Sequence, residues 1–485
     1  MVFNSYLFIF LFLPSTWIIY FGLNRYRLTE LSKAWLLIAS LFYYSYWNIK
    51  YLPLILVSIS VNFFLTEKLT QIENENKRKL LFYIGLLFNI GLLGYYKYTG
   101  FFLENLSLLT GSHIEFIKVA LPVGISFYTL QQIAYLIDVY QGAITQGKRI
   151  LEYALFVVFF PHLLAGPIVH FEEMLPQYQS LKNKVINKKN ISLGIFIFTL
   201  GLFKKVMIAD SLSVWVNDAY SDTSKLHLFY AWGTSLAYTL QLYFDFSGYS
   251  DMAIGIGRLF NFELPQNFNS PLKAANINDF WSRWHMTLTS FIRTYIFTPM
   301  VKILPKGFHF NMLAMVLAMT IAGIWHGPSW TYIVYGILHG LAIVVHYYWK
   351  KTKRKLPYFL GWLITFNFVN LSFIIFRSNT LNDAFNVMKG MLGLQNIRIP
   401  KTGINAIKNL HEHLGIQRGP YMTNDENLQL SLIIIGFFIL LKLKNTRYWQ
   451  ENFKPSISLA ILTGVMFVLC LFGLNRVSDF IYFNF

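Results

Sequence analysis

The stretch MLAMVLAMTIAGIWHGPSWTYIVYGILHGLAIVVHYYW, Met312 to Trp349, holds two apolar runs joined by AGIWHGPSW, Ala322 to Trp330. The second run, Trp330 to Trp349, is twenty residues, about one bilayer core at ~1.5 Å per residue. An imidazole in hydrocarbon is costly, and a proline removes one helical amide and clashes with the preceding turn. The stretch therefore reads as two membrane helices interrupted at His326 by Gly327-Pro328. A titratable ring at such a break is a candidate for function rather than packing.

The rest of the chain is of the same kind. Its 485 residues are 55% hydrophobic, 18% aromatic and 13% charged, with mean hydropathy +0.44, about half the charged share (~25%) of soluble domains. The apolar runs are long and lack the alternation of a membrane barrel, so the fold class is all-α, a polytopic integral membrane protein. One membrane domain, residues 1–485, takes up the chain. The net charge of +18 sits mainly in short connections, as the positive-inside rule predicts, and so argues against nucleic acid as a partner. Cys470, the single cysteine, lies in an apolar run. Disulfides and Cys-type metal sites are thereby excluded. The first apolar run, from Tyr6, has no basic flank or cleavage motif and is expected to remain as the first span.

Fourteen apolar stretches give roughly eleven to fourteen membrane elements, several too short or too broken to cross alone. KKTKRK, Lys350 to Lys355, and the basic connection from Lys442 are expected on the cytoplasmic side, as are Arg25, Arg27, Lys33, Lys77, Arg78 and Lys79. The count fails at Lys182 to Lys189 unless Leu151 to Phe171, which contains Pro161 and Ala165-Gly166-Pro167, turns back as a re-entrant element. The long polar stretch 377–426 then lies outside, with a short amphipathic helix expected around NAIKNLHEHL.

His326 thus lies away from the cytoplasmic surface, where a base could meet an acceptor arriving from outside. His285 stands in INDFWSRWHMTLTSFIRTYIFTPM beside Asp279, Trp281, Arg283, Trp284 and Arg293; a plain interfacial helix and a wall of the same cavity both fit this composition. His339 and His346 are seven residues apart on one helix face, where packing competes with function. Asp245 and Asp251, inside an apolar run, call for a cavity or a charge partner such as Arg258. Gly255-Ile256-Gly257 lacks the setting of a nucleotide fingerprint. Neither a metal-binding spacing nor a serine nucleophile elbow occurs among these motifs.

NFNSPLKAANINDFWSRWHMTLTSFIRTYIFTPM, followed by GIWHGPSWTYIVYGILHG, resembles the membrane-bound O-acyltransferase family, and within it the branch of the alginate O-acetyltransferase membrane subunit. FFPHLLAGPIVHFEEMLPQ, YFDFSGYSDMAIGIGRLFNFELPQNF and the closing FIYFNF extend the likeness nearly end to end. The resemblance implies helices ringed around a tunnel, with His326 at the position of the catalytic histidine and His285 at that of the second. It implies a donor entering from the cytoplasm, an acetyl-CoA or other acyl thioester used as substrate with no tightly bound cofactor, and an acceptor entering from outside. Asp279, Arg283, Trp325 and His339 are the accompanying substrate-binding candidates.

WHGPSW carries a proline where the alginate branch resembles WHGAGW, so peptidoglycan or another exopolysaccharide is as open an acceptor as alginate. The sequence lacks the soluble SGNH-type esterase domain that some relatives carry, so the resemblance implies a separate periplasmic SGNH-type partner beside the membrane lipid, in a bacterial cytoplasmic membrane. A transporter or flippase of a polysaccharide precursor is the rival reading, since broken helices and intramembrane polar groups would serve it too. A catalytically silent scaffold is a third.

Overall fold

The computed structural model describes residues 1–111, 120–144, 149–395, 398–401, 417–421 and 424–474. The chain is an all-α, multi-pass membrane protein. Seven helices are long and apolar enough to cross a membrane: Phe8–Arg25, Ile49–Gln71, Glu75–Thr110, Lys188–Ser221, Phe308–His326, Trp330–Lys351 and Tyr358–Arg377. The bent pair Asn427–Lys442 and Thr446–Asn452 adds an eighth if it counts as one span. In the stretch expected to be re-entrant, Leu151 to Phe171, the chain forms two short helices, Ile150–Val158 and Phe160–Leu163, buried in the core. In the polar stretch after Arg377, helix Leu381–Met391 is capped by Thr380 and Asp383, and Arg398–Lys401 pairs in parallel with Gln417–Tyr421. The helix expected around NAIKNLHEHL and the closing FIYFNF lie outside the described residues.

A central post, Leu228–Leu259, is 32 residues long and buried along most of its length. It packs against Lys188–Ser221, Tyr358–Arg377 and Leu381–Met391. Glycine allows the first of these contacts to close. A Cβ on Gly201 would lie 2.5 Å from the carbonyl oxygen of Gly248, and one on Gly255 2.6 Å from the amide nitrogen of Phe198. Close backbone approach of this kind is how membrane helices gain van der Waals contact without a hydrophobic driving force. Gly201→Leu should force the two backbones apart at a cost of about 1–3 kcal/mol. Fluorescence-detected gel filtration should then show a lower thermal midpoint and less monodisperse protein, whereas an unchanged midpoint would mean that the contact is not tight.

The same helix pair buries charge. Lys204 Nζ lies 2.5 Å from Asp251 Oδ2, and Lys205 Nζ lies 2.7 Å from both Asp210 Oδ1 and Asp245 Oδ1. The aspartates therefore do have charge partners, but these are not Arg258, which pairs with Glu263. Both lysines stand on a widened π turn, Lys204–Ala209, which rotates them toward the post. Lys33, counted above among the basic flanking residues, is likewise buried and bridged to Glu152 at 2.9 Å and Glu30 at 2.8 Å.

Candidate active site

Phe308–His326 stops at His326 because Gly327 is extended, at φ 177°, and Pro328 has no amide to donate. Ser329 then caps Trp330–Lys351, its hydroxyl accepting from the amide of Thr331 at 3.3 Å. The two helices fold back on one another through glycine. A Cβ on Gly323 would fall 2.3 Å from the carbonyl oxygen of Tyr332, and one on Gly336 2.5 Å from that of Met319. The break is thereby fixed, with His326 5% exposed at its apex.

His285 also sits at a break. The tryptophan-rich segment is not one helix: Ile277–Trp281 ends, and a second helix restarts at Met286 and runs to residue 303. Between them His285 adopts φ 40°, ψ 54°, a left-handed conformation unfavourable for a residue with a Cβ. Neighbouring bonds hold it there. The amide of Met286 donates to the Asn267 carbonyl at 3.0 Å, and Thr287 Oγ1 donates to Asn267 Oδ1 at 2.6 Å. Strain maintained by surrounding contacts is common at functional sites.

Trp325 is in ring contact with both candidate histidines. Its ring is 5.1 Å from that of His326 and 6.1 Å from that of His285, centroid to centroid, and Phe246 stands edge-on to His285 at 4.7 Å. Phe376 and Tyr335 stand edge-on to His326 at 5.1 Å and 6.3 Å. His339 continues the cluster, 4.4 Å from Tyr335. Its nitrogens are both engaged: Trp281 Nε1 donates to Nδ1 at 3.1 Å, and Nε2 meets Ser372 Oγ at 2.9 Å. Since the Ser372 hydroxyl donates to the Val369 carbonyl at 2.7 Å, the network assigns His339 a neutral Nε2–H tautomer that leaves neither nitrogen for a substrate.

The six residues singled out from the sequence therefore divide. His326, His285, Trp325 and His339 share one aromatic, water-poor cluster. Asp279 and Arg283 pair with each other at 2.7 Å, each about one-third exposed, beside Asn269. His346 is only half-buried, against Tyr347. Six residues around these rings went unnoticed in the sequence, namely Lys97, Ser126, Phe246, Tyr335, Ser372 and Phe376. Of these only Lys97 left a signal, a lysine within a long apolar helix.

Two cavities lie beside the segments that carry this cluster, although none of its four residues lines either. One, of 600 Å³, runs between the 286–303, 308–326 and 330–351 helices. Asn278, Ser282, Arg293 and Asn311 line it, as do Trp281 and Ala322, the latter one turn before His326. The other, of 420 Å³, is bounded by Arg447, Gln450 and Glu451 and reaches Met286 and Thr287, the residues after His285. A third, apolar groove of 510 Å³ lies between Ile9, Phe196 and Phe467. Among the described residues no three His, Cys, Asp or Glu side chains are grouped to hold a metal ion. Buried imidazoles of this kind can exchange protons with a hydroxyl in a site from which water is excluded.

The family model for membrane-bound O-acyltransferases matches residues 143–382, which take in both His285 and His326. A peptidoglycan O-acetyltransferase of Helicobacter pylori is 42% identical over 525 aligned positions, covering 100% of this chain and 98% of its own. A probable alginate O-acetylase, AlgI, of Pseudomonas aeruginosa is 32% identical over 92% of this chain and 82% of its own. A teichoic acid D-alanyltransferase of Streptococcus thermophilus is 30% identical over 55% of this chain and 70% of its own. The chain belongs to the membrane-bound O-acyltransferase family. It is an O-acyltransferase, in the branch of relatives named for acetylating alginate or peptidoglycan.

Proposed function

We propose that the protein transfers an acetyl group from acetyl-CoA on the cytoplasmic side to a hydroxyl of an extracytoplasmic polysaccharide, with His326 as general base. The observation that carries this reading is the position of His326 at a buried helix break, one turn along its helix from Ala322, which lines the 600 Å³ cavity. The cavity suits a thioester donor. Asn278, Arg293 and Asn311 offer polar contacts for a phosphate-bearing head, and Met315, Met319 and Ala322 an apolar path for its arm. In the reaction the imidazole takes the proton of the acceptor hydroxyl as its oxygen attacks the thioester carbonyl. The tetrahedral intermediate then collapses, the C–S bond breaks, and the imidazolium returns its proton to the departing thiolate.

Peptidoglycan is the first acceptor to test, because the relative that matches this chain end to end is named for it. A separate extracytoplasmic SGNH-type protein is the proposed partner that completes transfer to polymer, and the bacterial inner membrane the proposed location. Radiolabelled acetyl-CoA supplied to the cytoplasmic face of inverted membrane vesicles should label a polysaccharide fraction only when this chain is present. Labelling by long-chain acyl-CoA alone would overturn the donor assignment, and precursor movement without any acyl transfer would favour the transporter reading.

A further inference from the structure

Lys97 is 7% exposed inside the longest membrane helix, Glu75–Thr110, and lies outside the segment that the family model matches. The helix widens at Gly94–Tyr98 into a π turn, which presents two consecutive side chains to one target. Lys97 Nζ donates to the carbonyl of Trp325 at 2.6 Å, and Tyr98 OH donates to the carbonyl of Ile324 at 2.7 Å. Ser126 joins the same knot: its hydroxyl accepts from Lys97 Nζ at 3.1 Å and its carbonyl from Trp325 Nε1 at 3.4 Å. Among the described residues no carboxylate pairs with Lys97.

The last carbonyls of a helix have no partners within it, and in a bilayer no water replaces them. At an ordinary helix end a hydroxyl or a following amide is enough. Here Ile324 O already receives the Gly327 amide at 3.1 Å as well as the Tyr98 hydroxyl. An ammonium buried in hydrocarbon without a counter-ion is a far more expensive way to satisfy one further carbonyl, although the helix C-terminus does favour a cation. The carbonyl it holds belongs to the peptide that joins Trp325 to His326.

We infer that Lys97 is a positioning residue for acyl transfer, pinning the Trp325–His326 peptide so that the His326 imidazole keeps its reactive direction. This rests on the reading of His326 as the base. The test uses full-length protein in inverted vesicles with radiolabelled acetyl-CoA, with rates normalised to folded protein measured by fluorescence-detected gel filtration. Lys97→Met should lower kcat per folded molecule tenfold or more while KM for acetyl-CoA stays within twofold. Tyr98→Phe, which removes the second clamp and keeps the charge, should lower kcat by a smaller factor with the same unchanged KM. A Lys97→Met variant whose rate per folded molecule equals that of the wild type, its loss confined to protein yield, would make the lysine a helix cap only and overturn the inference. If Lys97→Met does not fold, Lys97→Leu, which also removes the donor but with a shorter apolar side chain, is read by the same criteria. His326→Gln in the same vesicles separates the two ideas. An active His326→Gln defeats the base assignment itself, whereas an inactive His326→Gln beside an active Lys97→Met defeats only the role of Lys97.

Discussion

His326→Gln should insert, fold and lose acyl transfer by about 100-fold or more, the usual contribution of a positioned general base. Glutamine retains hydrogen-bonding capacity at the end of the Phe308–His326 helix but cannot take a proton at neutral pH. The helix break itself should survive, since it is made by extended Gly327, by Pro328 and by the Ser329 cap rather than by the imidazole. His326→Ala should lose activity to the same extent but with lower stability, because it empties a site packed by Trp325, Tyr335 and Phe376. The pair of variants therefore separates chemistry from packing. O-acetyl content of the polysaccharide, measured against folded protein, decides the matter: a stable, active glutamine variant would remove His326 from the mechanism.

His285→Ala should reduce transfer by roughly tenfold or more with near-normal protein levels, as expected of a group that shares the reacting site. Its ring lies 6.1 Å from that of Trp325, which also packs on His326, and the two residues that follow it line the 420 Å³ cavity. Alanine keeps the backbone constraint at φ 40°, so the variant isolates the imidazole. His285→Gly relieves the constraint as well and should be at least as stable as the alanine variant while equally inactive. If activity per folded molecule is unchanged in either variant and only yield falls, His285 is a packing residue.

The sequence made the His326 break legible because its causes are local: a proline and a glycine stand next to the histidine. The helical class and the basic connections were legible for a similar reason, since hydropathy and charge act residue by residue. His285 was not. From Ile277 to Thr298 there is neither glycine nor proline, and the interruption comes from Asn267, which bonds Met286 and Thr287 from another segment. The partners of Asp245 and Asp251 were missed because Lys204 and Lys205 lie some forty residues away, on a π turn that a 3.6-residue period does not register. Asp279 and Arg283 looked like site residues by their neighbours in sequence. Their i, i+4 spacing instead lets them satisfy one another away from the ring cluster.

The buried charges between Lys188–Ser221 and the central post also bear on how the protein reaches the bilayer. Presented singly to the insertion machinery, the first helix would bring two lysines and Asp210, and the second Asp245 and Asp251. Each such charge costs about 2.5–3.5 kcal/mol at mid-membrane on insertion scales. Together, with only residues 222–227 between them, Lys204 meets Asp251, Lys205 meets both Asp210 and Asp245, and the glycine faces close. The two helices are therefore expected to leave the insertion channel as a preassembled hairpin. Biogenesis would then wait for the second helix to be synthesised before the first can enter lipid.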